Sequence, residues 1–114
     1  VEIMERSHKP IVCTTSMSAR QPHLRTMRYD NVLVDEAAQA TEPDVMQAVV
    51  ACAGSLVLIG DHKQLPATVK SESNRRHGLE KSMFQRLYEL HGIPIVLLTC
   101  QFRMHPSIAA YPSQ

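Results

Sequence analysis

The sequence predicts an α/β fold in which helices cover a parallel β-sheet. Apolar runs rich in β-forming residues alternate with helical segments in the order β-loop-β-α-β-α-β. Aromatic residues make up 4% of the 114 residues, so the apolar side chains are mainly Val, Ile, Leu, Ala and Met. This aliphatic composition suits a layered α/β core, and crossovers between parallel strands should be right-handed.

Four strands are predicted, each from a short apolar run bounded by polar residues or turn signals. They cover residues 11–15, 31–35, 55–60 and 95–99. The polar segment 16–30 is predicted to be a loop with a short helical turn, and the charged segment 69–78 is predicted to be a loop.

Two helices are predicted between these strands. Thr41 can cap the first, Pro43 suits its first turn, and Asp44 can pair with the cap. Gly54 is the predicted end of that helix. The second helix and a last helical turn are predicted within residues 79–91 and 106–111.

Composition argues against several classes of protein. The net charge of +1 gives no global field that would indicate a nucleic-acid partner, although local basic clusters remain possible. The three cysteines are far apart and form no C-x-x-C pair, which argues against a zinc site or a disulfide framework. No apolar run approaches the roughly 20 residues that span a bilayer. We therefore expect no membrane association, and a cytoplasmic or nuclear location.

The run Val32–Glu36 ends a predicted strand in two carboxylates. In a parallel sheet such a strand ends at the edge where ligands bind. An Asp at that edge can hold Mg²⁺ on a nucleoside triphosphate, and a neighbouring Glu can orient and deprotonate a water. The alternative is an acidic pair that simply faces solvent at a strand end.

Two further motifs follow predicted strands. In G-D-H-K-Q-L-P at residues 60–66, Gly60 permits a tight turn, and Asp61 and Gln64 could reach a phosphate or a water. In Q-F-R-M-H-P at residues 101–106, Arg103 could stabilise phosphate charge while Phe102 stacks on a base. The alternatives are an ordinary strand-ending turn and a buried Phe beside a solvated Arg.

In this order and spacing, the motifs resemble those of superfamily 1 helicases of the nonsense-mediated-decay-helicase-like group. D-E-A-A-Q-A-T-E-P at residues 35–43 resembles that group's Walker B motif, and residues 60–66 and 101–106 resemble its motifs III and IV. The resemblance implies a RecA-like P-loop NTPase fold, a three-layer sandwich around a parallel sheet. It implies a first RecA-like domain up to residue 93 (domain 1–93) and the start of a second at 94–114, with the boundary near residues 92–94.

The resemblance also implies roles for single residues around the nucleotide. Asp35 would coordinate Mg²⁺, Glu36 would activate the attacking water, and Gln39 would lie near them. Asp61 would belong to the nucleotide site, and Gln64 would sense the γ-phosphate and couple it to the nucleic-acid groove.

Four further residues receive roles from the same resemblance. Phe102 would stack near adenine, where the family more often has Tyr, and Arg103 would reach the γ-phosphate across a cleft between domains. Thr14 and Thr15 would contact the nucleic-acid backbone. The partners implied are ATP with Mg²⁺ and single-stranded RNA or DNA.

One expected motif is missing from the chain. The phosphate-binding Walker A loop, G-x-x-x-x-G-K-[ST], does not occur, so the segment alone should bind ATP poorly. We expect a fragment of an ATP-dependent helicase that couples hydrolysis to translocation. The alternative is a non-catalytic remnant that binds nucleic acid or protein.

Overall fold

The computed structural model of the protein describes residues 2–4, 11–90 and 93–110. Each element in these ranges is short, and the longest helix there has 10 residues. In chain order the elements are β1 (Glu2–Met4), β2 (Ile11–Cys13), α1 (Pro22–Arg25), β3 (Tyr29–Val34), α2 (Glu42–Ala51), β4 (Cys52–Leu58), α3 (Glu72–Arg76), α4 (Met83–Glu89) and α5 (Pro106–Ala109). Two 3-10 turns, Ser18–Arg20 and Ala37–Gln39, precede α1 and α2.

The central unit of the fold is the parallel pair of β3 and β4, joined by α2. Val32 lies opposite Leu56 and Val34 opposite Leu58, so both strands end at the same edge. The Ile59 N–H extends the pairing by donating to the Val34 carbonyl at 2.8 Å. The predicted α/β class is confirmed, and this shared edge is where the polar motifs begin.

The strand predicted at residues 11–15 differs from the prediction in length and partner. It ends at Cys13 and pairs antiparallel with β1, with Val12 opposite Ile3, instead of joining β3 in parallel. The chain turns because the Thr15 hydroxyl accepts the Ser18 N–H at 3.2 Å and the Thr15 carbonyl accepts the Ala19 N–H at 2.9 Å. These two hydrogen bonds place Thr15 in a turn and not in the predicted strand.

Helix α2 begins as predicted after Thr41, but its end was predicted wrongly. It stops at Ala51, and Gly54 lies within β4. A Cβ on Gly54 would lie 2.4 Å from the Asp30 carbonyl oxygen, so this glycine allows two strands to approach closely. The predicted capping pair also differs, since the Thr41 hydroxyl bonds the Asp44 carboxylate at 2.6 Å and not a backbone N–H.

The C-terminal half departs most from prediction. The predicted loop 69–78 contains α3, which begins where the Ser71 hydroxyl accepts the Asn74 N–H at 3.3 Å. The predicted strand 95–99 is wrong, because these residues form no strand and the side chains of 95–98 are 57–85% exposed. A strand needs a hydrogen-bonded neighbour, and none of the described residues supplies one.

The core lies on one side of the β3–β4 pair. Helix α2 packs against both strands, and α4 packs over the turn at Ala37–Gln39. On the opposite face Leu33 is 62% exposed and its partner Val57 is 47% exposed. Among the described residues, the buried apolar side chains are Leu24, Ala37, Ala38, Val45, Ala67 and Met83. No helix within the described ranges is both long and apolar enough to cross a membrane.

Candidate active site

Three of the predicted site residues meet in one tight turn after β3, the carboxylate turn (residues 35–39). Glu36 adopts a left-handed backbone conformation with φ 52° and ψ 34°. Its N–H donates to Asp35 Oδ1 at 3.0 Å, and Gln39 Nε2 donates to Glu36 Oε2 at 3.1 Å. The turn therefore holds two carboxylates side by side, with an amide oriented on the second.

The carboxylate turn is joined to the end of β4 by its two alanines. The Ala37 N–H donates to the Ile59 carbonyl at 2.8 Å. A Cβ on Gly60 would lie 2.8 Å from the Ala38 nitrogen and 3.1 Å from the Ala38 Cβ. Because Ala37 and Ala38 are buried, a larger side chain at any of these positions would push the two polar motifs apart.

The loop after Gly60 is organised by Asp61. Asp61 Oδ1 accepts the Lys63 N–H at 2.9 Å, and Asp61 Oδ2 accepts Gln64 Nε2 at 3.3 Å. The Lys63 N–H, with a smaller contribution from Gln64, lowers the pKa of Asp61. Asp61 is thus ionised over a wider pH range and orients Gln64, while both side chains remain exposed to an incoming ligand.

The Asp61–Gln64 loop also rests on helix α4. The ring of His62 stacks on Tyr88, with centroids 4.2 Å apart and an interplanar angle of 29°. Phe84, one turn earlier on α4, lies 6.4 Å from the same ring. The loop therefore has a contact with α4 that is independent of its backbone connection to β4.

A second connection runs from α4 to the start of α2. Arg86 donates through Nε to Glu42 Oε2 at 2.8 Å and through Nη2 to Glu42 Oε1 at 2.6 Å. This bidentate geometry is the strong form of an Arg–carboxylate pair. It lowers the pKa of Glu42 and raises that of Arg86, in both cases chiefly through the hydrogen bonds of the pair.

The predicted nucleic-acid residues lie along a cavity of about 830 Å³ beside β3. Thr14, Thr15 and Asp35 all line it. The Thr14 hydroxyl donates to the Thr15 carbonyl at 3.3 Å, and the Thr15 hydroxyl to Ser18 Oγ at 3.1 Å. The structure thus brings both threonines to the same cavity as the first carboxylate.

Phe102 and Arg103 lie apart from this group. Phe102 is 95% exposed, Arg103 is also exposed, and both lie in a segment without helix or strand. Their loop is shaped by Gln101, whose amide donates to the Met104 carbonyl at 3.0 Å and accepts the Met104 N–H at 2.8 Å. No hydrogen bond or ion pair between described residues links this loop to the carboxylate turn.

Sequence reasoning missed several residues that position the site. The alanines after Glu36 were a usable signal, since two small residues beside a strand end indicate close backbone approach. Arg86 and Tyr88 gave no such signal, because their partners Glu42 and His62 lie far away in sequence. Gln101 belongs to the predicted motif, but the sequence does not indicate that its amide holds the Met104 backbone.

The carboxylates do not form a self-sufficient metal site. No cluster of three or more potential metal ligands occurs among the described residues. Asp35 accepts the Glu36 N–H through Oδ1, and Oδ2 has no hydrogen bond within the described part of the chain. One carboxylate oxygen suits Mg²⁺, which usually keeps waters and binds substrate phosphates alongside one or two protein carboxylates.

Comparison with protein families matches an AAA domain at residues 2–72 and another AAA domain at residues 79–114. Regulator of nonsense transcripts 1 homolog from Neurospora crassa is 41% identical over 103 residues, which are 90% of this chain and 9% of that protein. The chain belongs to the AAA-domain family, in the nonsense-mediated-decay-helicase-like group of superfamily 1 helicases.

Other relatives of this AAA-domain chain carry names of enzymes that act on nucleic acid or use ATP. ATP-dependent helicase upf1 from Schizosaccharomyces pombe is 36% identical over 112 residues, covering 98% of the chain and 12% of that protein. Human 3'-5' exoribonuclease HELZ2 is 41% identical over 108 residues, covering 93% of the chain and 4% of that protein. The chain therefore spans a small part of each relative, and the predicted family is confirmed.

Proposed function

We propose that this segment belongs to an ATP-dependent helicase that couples ATP hydrolysis to translocation on single-stranded RNA or DNA. One observation carries the proposal: the carboxylate turn and the Asp61–Gln64 loop abut at the carboxyl edge of a parallel strand pair, joined by the bond from Ala37 to Ile59. Ligands of open α/β sheets bind at this edge. We infer a RecA-like three-layer fold for the complete domain, and a cytoplasmic or nuclear location for the protein.

In this proposal, Asp35 holds Mg²⁺ together with the phosphates of ATP. Bound Mg²⁺ supplies positive charge that offsets the negative charge developing on the phosphates. The Glu36 N–H occupies Asp35 Oδ1, so Oδ2 is the oxygen that would bind the metal in this proposal. This single-carboxylate arrangement fits the preference of Mg²⁺ for phosphate and water ligands.

Glu36 takes the role of the general base in hydrolysis. Its backbone lies in the left-handed region, and the Gln39 amide donates to one of its oxygens. Gln64, which Asp61 holds, contacts the γ-phosphate or the attacking water in this proposal. A change at the γ-phosphate would then move the Asp61–Gln64 loop.

Arg103 and Phe102 act from a second domain in this proposal, with domain 1–93 followed by the start of the second at 94–114. The inferred boundary near residues 92–94 includes residue 92, which lies outside the described ranges. The exposure of both side chains leaves them available to a nucleotide held mainly by the first domain. Arg103 would stabilise charge on the γ-phosphate, and Phe102 would stack on the adenine.

Thr14 and Thr15 contact the nucleic-acid backbone in this proposal. Hydroxyl groups hydrogen-bond to phosphate and sugar without reading the sequence of bases. The cavity that they line also includes β3 residues and Asp35, which supports a link between bound nucleic acid and the nucleotide.

The decisive experiment is Glu36→Gln in the protein that contains this segment. We expect loss of Mg²⁺-dependent ATP hydrolysis by a factor of at least about 100, with ATP binding retained, because Gln cannot accept the proton from water. Glu80→Gln is the matched control, since Glu80 makes no ion pair or side-chain hydrogen bond among the described residues. An unchanged hydrolysis rate in Glu36→Gln would overturn the assignment.

An inactive wild-type protein that still binds single-stranded nucleic acid would instead identify a non-catalytic binding remnant. Thr14→Ala and Thr15→Ala should then weaken nucleic-acid binding while Glu36→Gln has no effect. This pattern separates the two functions because the threonines serve both, whereas Glu36 serves hydrolysis alone.

A further inference from the structure

Helix α4 contacts both polar motifs of the candidate site. We propose that α4 is a brace that fixes the Asp61–Gln64 loop relative to the carboxylate turn, with His62, Tyr88, Glu42 and Arg86 as positioning residues. The inference rests on the proposed function and deepens it, since these four side chains would control how Gln64 is placed relative to Glu36.

The loop needs such a support because its internal bonds fix its shape but not its position. Asp61 holds Lys63 and Gln64, but both hydrogen bonds lie within the loop and neither reaches another element. The only ring contacts among the described residues are those of His62 with Tyr88 and Phe84. A stacked ring fixes the orientation of its partner as well as its distance, so the His62–Tyr88 contact restrains the whole loop.

The other end of the brace is tied to the carboxylate turn. Met83 and Ser82 are buried at the start of α4, and the Ser82 hydroxyl caps the helix by accepting the Gln85 N–H at 3.1 Å. Arg86, one turn further along α4, donates two hydrogen bonds to Glu42. Because Glu42 lies only three residues beyond Gln39, these two hydrogen bonds hold the C-terminal end of the carboxylate turn.

The two contacts lie on one rigid element of seven residues. Arg86 and Tyr88 are two residues apart on α4, so the distance between their partners is set by helix geometry. His62 and Arg86 can affect hydrolysis without touching the nucleotide. Small errors in the placement of catalytic groups reduce turnover strongly. The brace thus predicts that turnover falls more than nucleotide affinity when it is broken.

The test is a double-mutant cycle on His62→Ala and Tyr88→Ala in the protein that contains this segment. Each single variant should lower kcat for ATP roughly tenfold and change KM by less than about twofold, and the double variant should be no worse than either single. His62→Phe should restore most of kcat, since it keeps a ring to stack on Tyr88. Gln85→Ala is the control on the same helix and should leave kcat unchanged.

A second readout does not depend on activity. Hydrogen exchange of the amides at residues 61–65 should accelerate in His62→Ala and return toward wild type in His62→Phe. The charge-reversed pair Glu42→Arg with Arg86→Glu should recover kcat that either single reversal loses. Additive losses in the cycle, or faster exchange with unchanged kcat, would overturn the brace as a positioning device. A wild type without ATPase activity but with the expected exchange pattern would overturn the proposed function and leave the brace standing.

Discussion

Glu36 carries a conformational cost at the centre of the candidate site. It has a left-handed backbone, with φ 52°, which a side chain with a Cβ adopts at a cost of about 1–2 kcal/mol. The bonds from Ala37 to Ile59 and from Glu36 to Asp35 hold it there. Strain of this kind occurs where a side chain must point in an unusual direction for function.

A comparison of Glu36→Gly with Glu36→Ala measures this cost. Glycine adopts the left-handed conformation freely but loses about 0.4–1 kcal/mol through its more flexible unfolded chain. We expect the glycine variant to be more stable than the alanine variant by about 0.5–1 kcal/mol, although both lack the carboxylate. Denaturant unfolding measures the stability of the two variants. An alanine variant as stable as the glycine variant, or more stable, would show that the Glu36 backbone is not strained.

Gly60 is predicted to resist even a methyl group. Its Cβ position lies 2.8 Å from the nitrogen of Ala38, a buried residue that has little room to move. Gly60→Ala should cost about 1–3 kcal/mol of stability and should also lower ATPase activity, because the two polar motifs separate.

Gly78→Ala provides the comparison for Gly60. Gly78 has φ +85° and no neighbour within 4 Å of its Cβ position, so alanine there meets backbone strain alone. It should cost about 1 kcal/mol without loss of activity. Equal losses of activity in the two variants, measured by ATPase assay and unfolding, would show that the contact of Gly60 with Ala38 is unimportant.

The sequence predicts correctly which site residues lie close together when one local turn brings them together. Asp35, Glu36 and Gln39 lie within five consecutive residues, so their proximity follows from local geometry. The same holds for Asp61 and Gln64. Arg103 is different, because its place relative to Glu36 depends on how two distant parts of a chain pack, which no local pattern encodes.

Among the elements, α2 and α4 are held together by an ion pair that sequence could not predict. Glu42 and Arg86 are 44 positions apart. Each is an ordinary charged residue on a helix, and either could have faced solvent. The end of α2 was missed for a related reason, since Gly54 is also an ordinary helix-end signal until β4 is seen to pass close to Asp30.

The Glu42–Arg86 pair predicts a pH dependence of stability. Because its folded pKa is below the ordinary 4.5, Glu42 adds stability above that value, and the contribution is lost as pH falls through the lower folded pKa. The stability difference between wild type and Glu42→Gln should therefore shrink as pH falls from about 7 to about 3. Denaturant titrations at several pH values measure this stability difference, with Glu80→Gln as the control. A difference that does not depend on pH would contradict the prediction.

At the scale of the whole molecule, the described residues leave much apolar surface exposed. Leu33 and Val57 face outward from the β3–β4 pair, and Val96 is 85% exposed in the segment predicted as a strand. The sequence predicted a strand at each of these apolar runs, correctly for Leu33 and Val57 and wrongly for residues 95–99. It could not predict their partners, because strand pairing depends on residues far away along the chain. An apolar run without a neighbouring strand cannot form the backbone hydrogen bonds of a sheet.

This exposed surface predicts poor solubility of the 114-residue chain on its own, since unpaired edges and bare apolar strands promote association. Replacing Val96 and Leu98 together by Lys should raise the soluble fraction after purification, because it breaks the apolar run at 95–98. The double variant Thr26→Lys with Thr68→Lys adds the same charge at exposed polar positions and should help less. Light scattering against protein concentration measures the difference. A wild-type chain that stays monomeric and melts cooperatively would show that the described contacts suffice to fold it, and that the exposed run is tolerated.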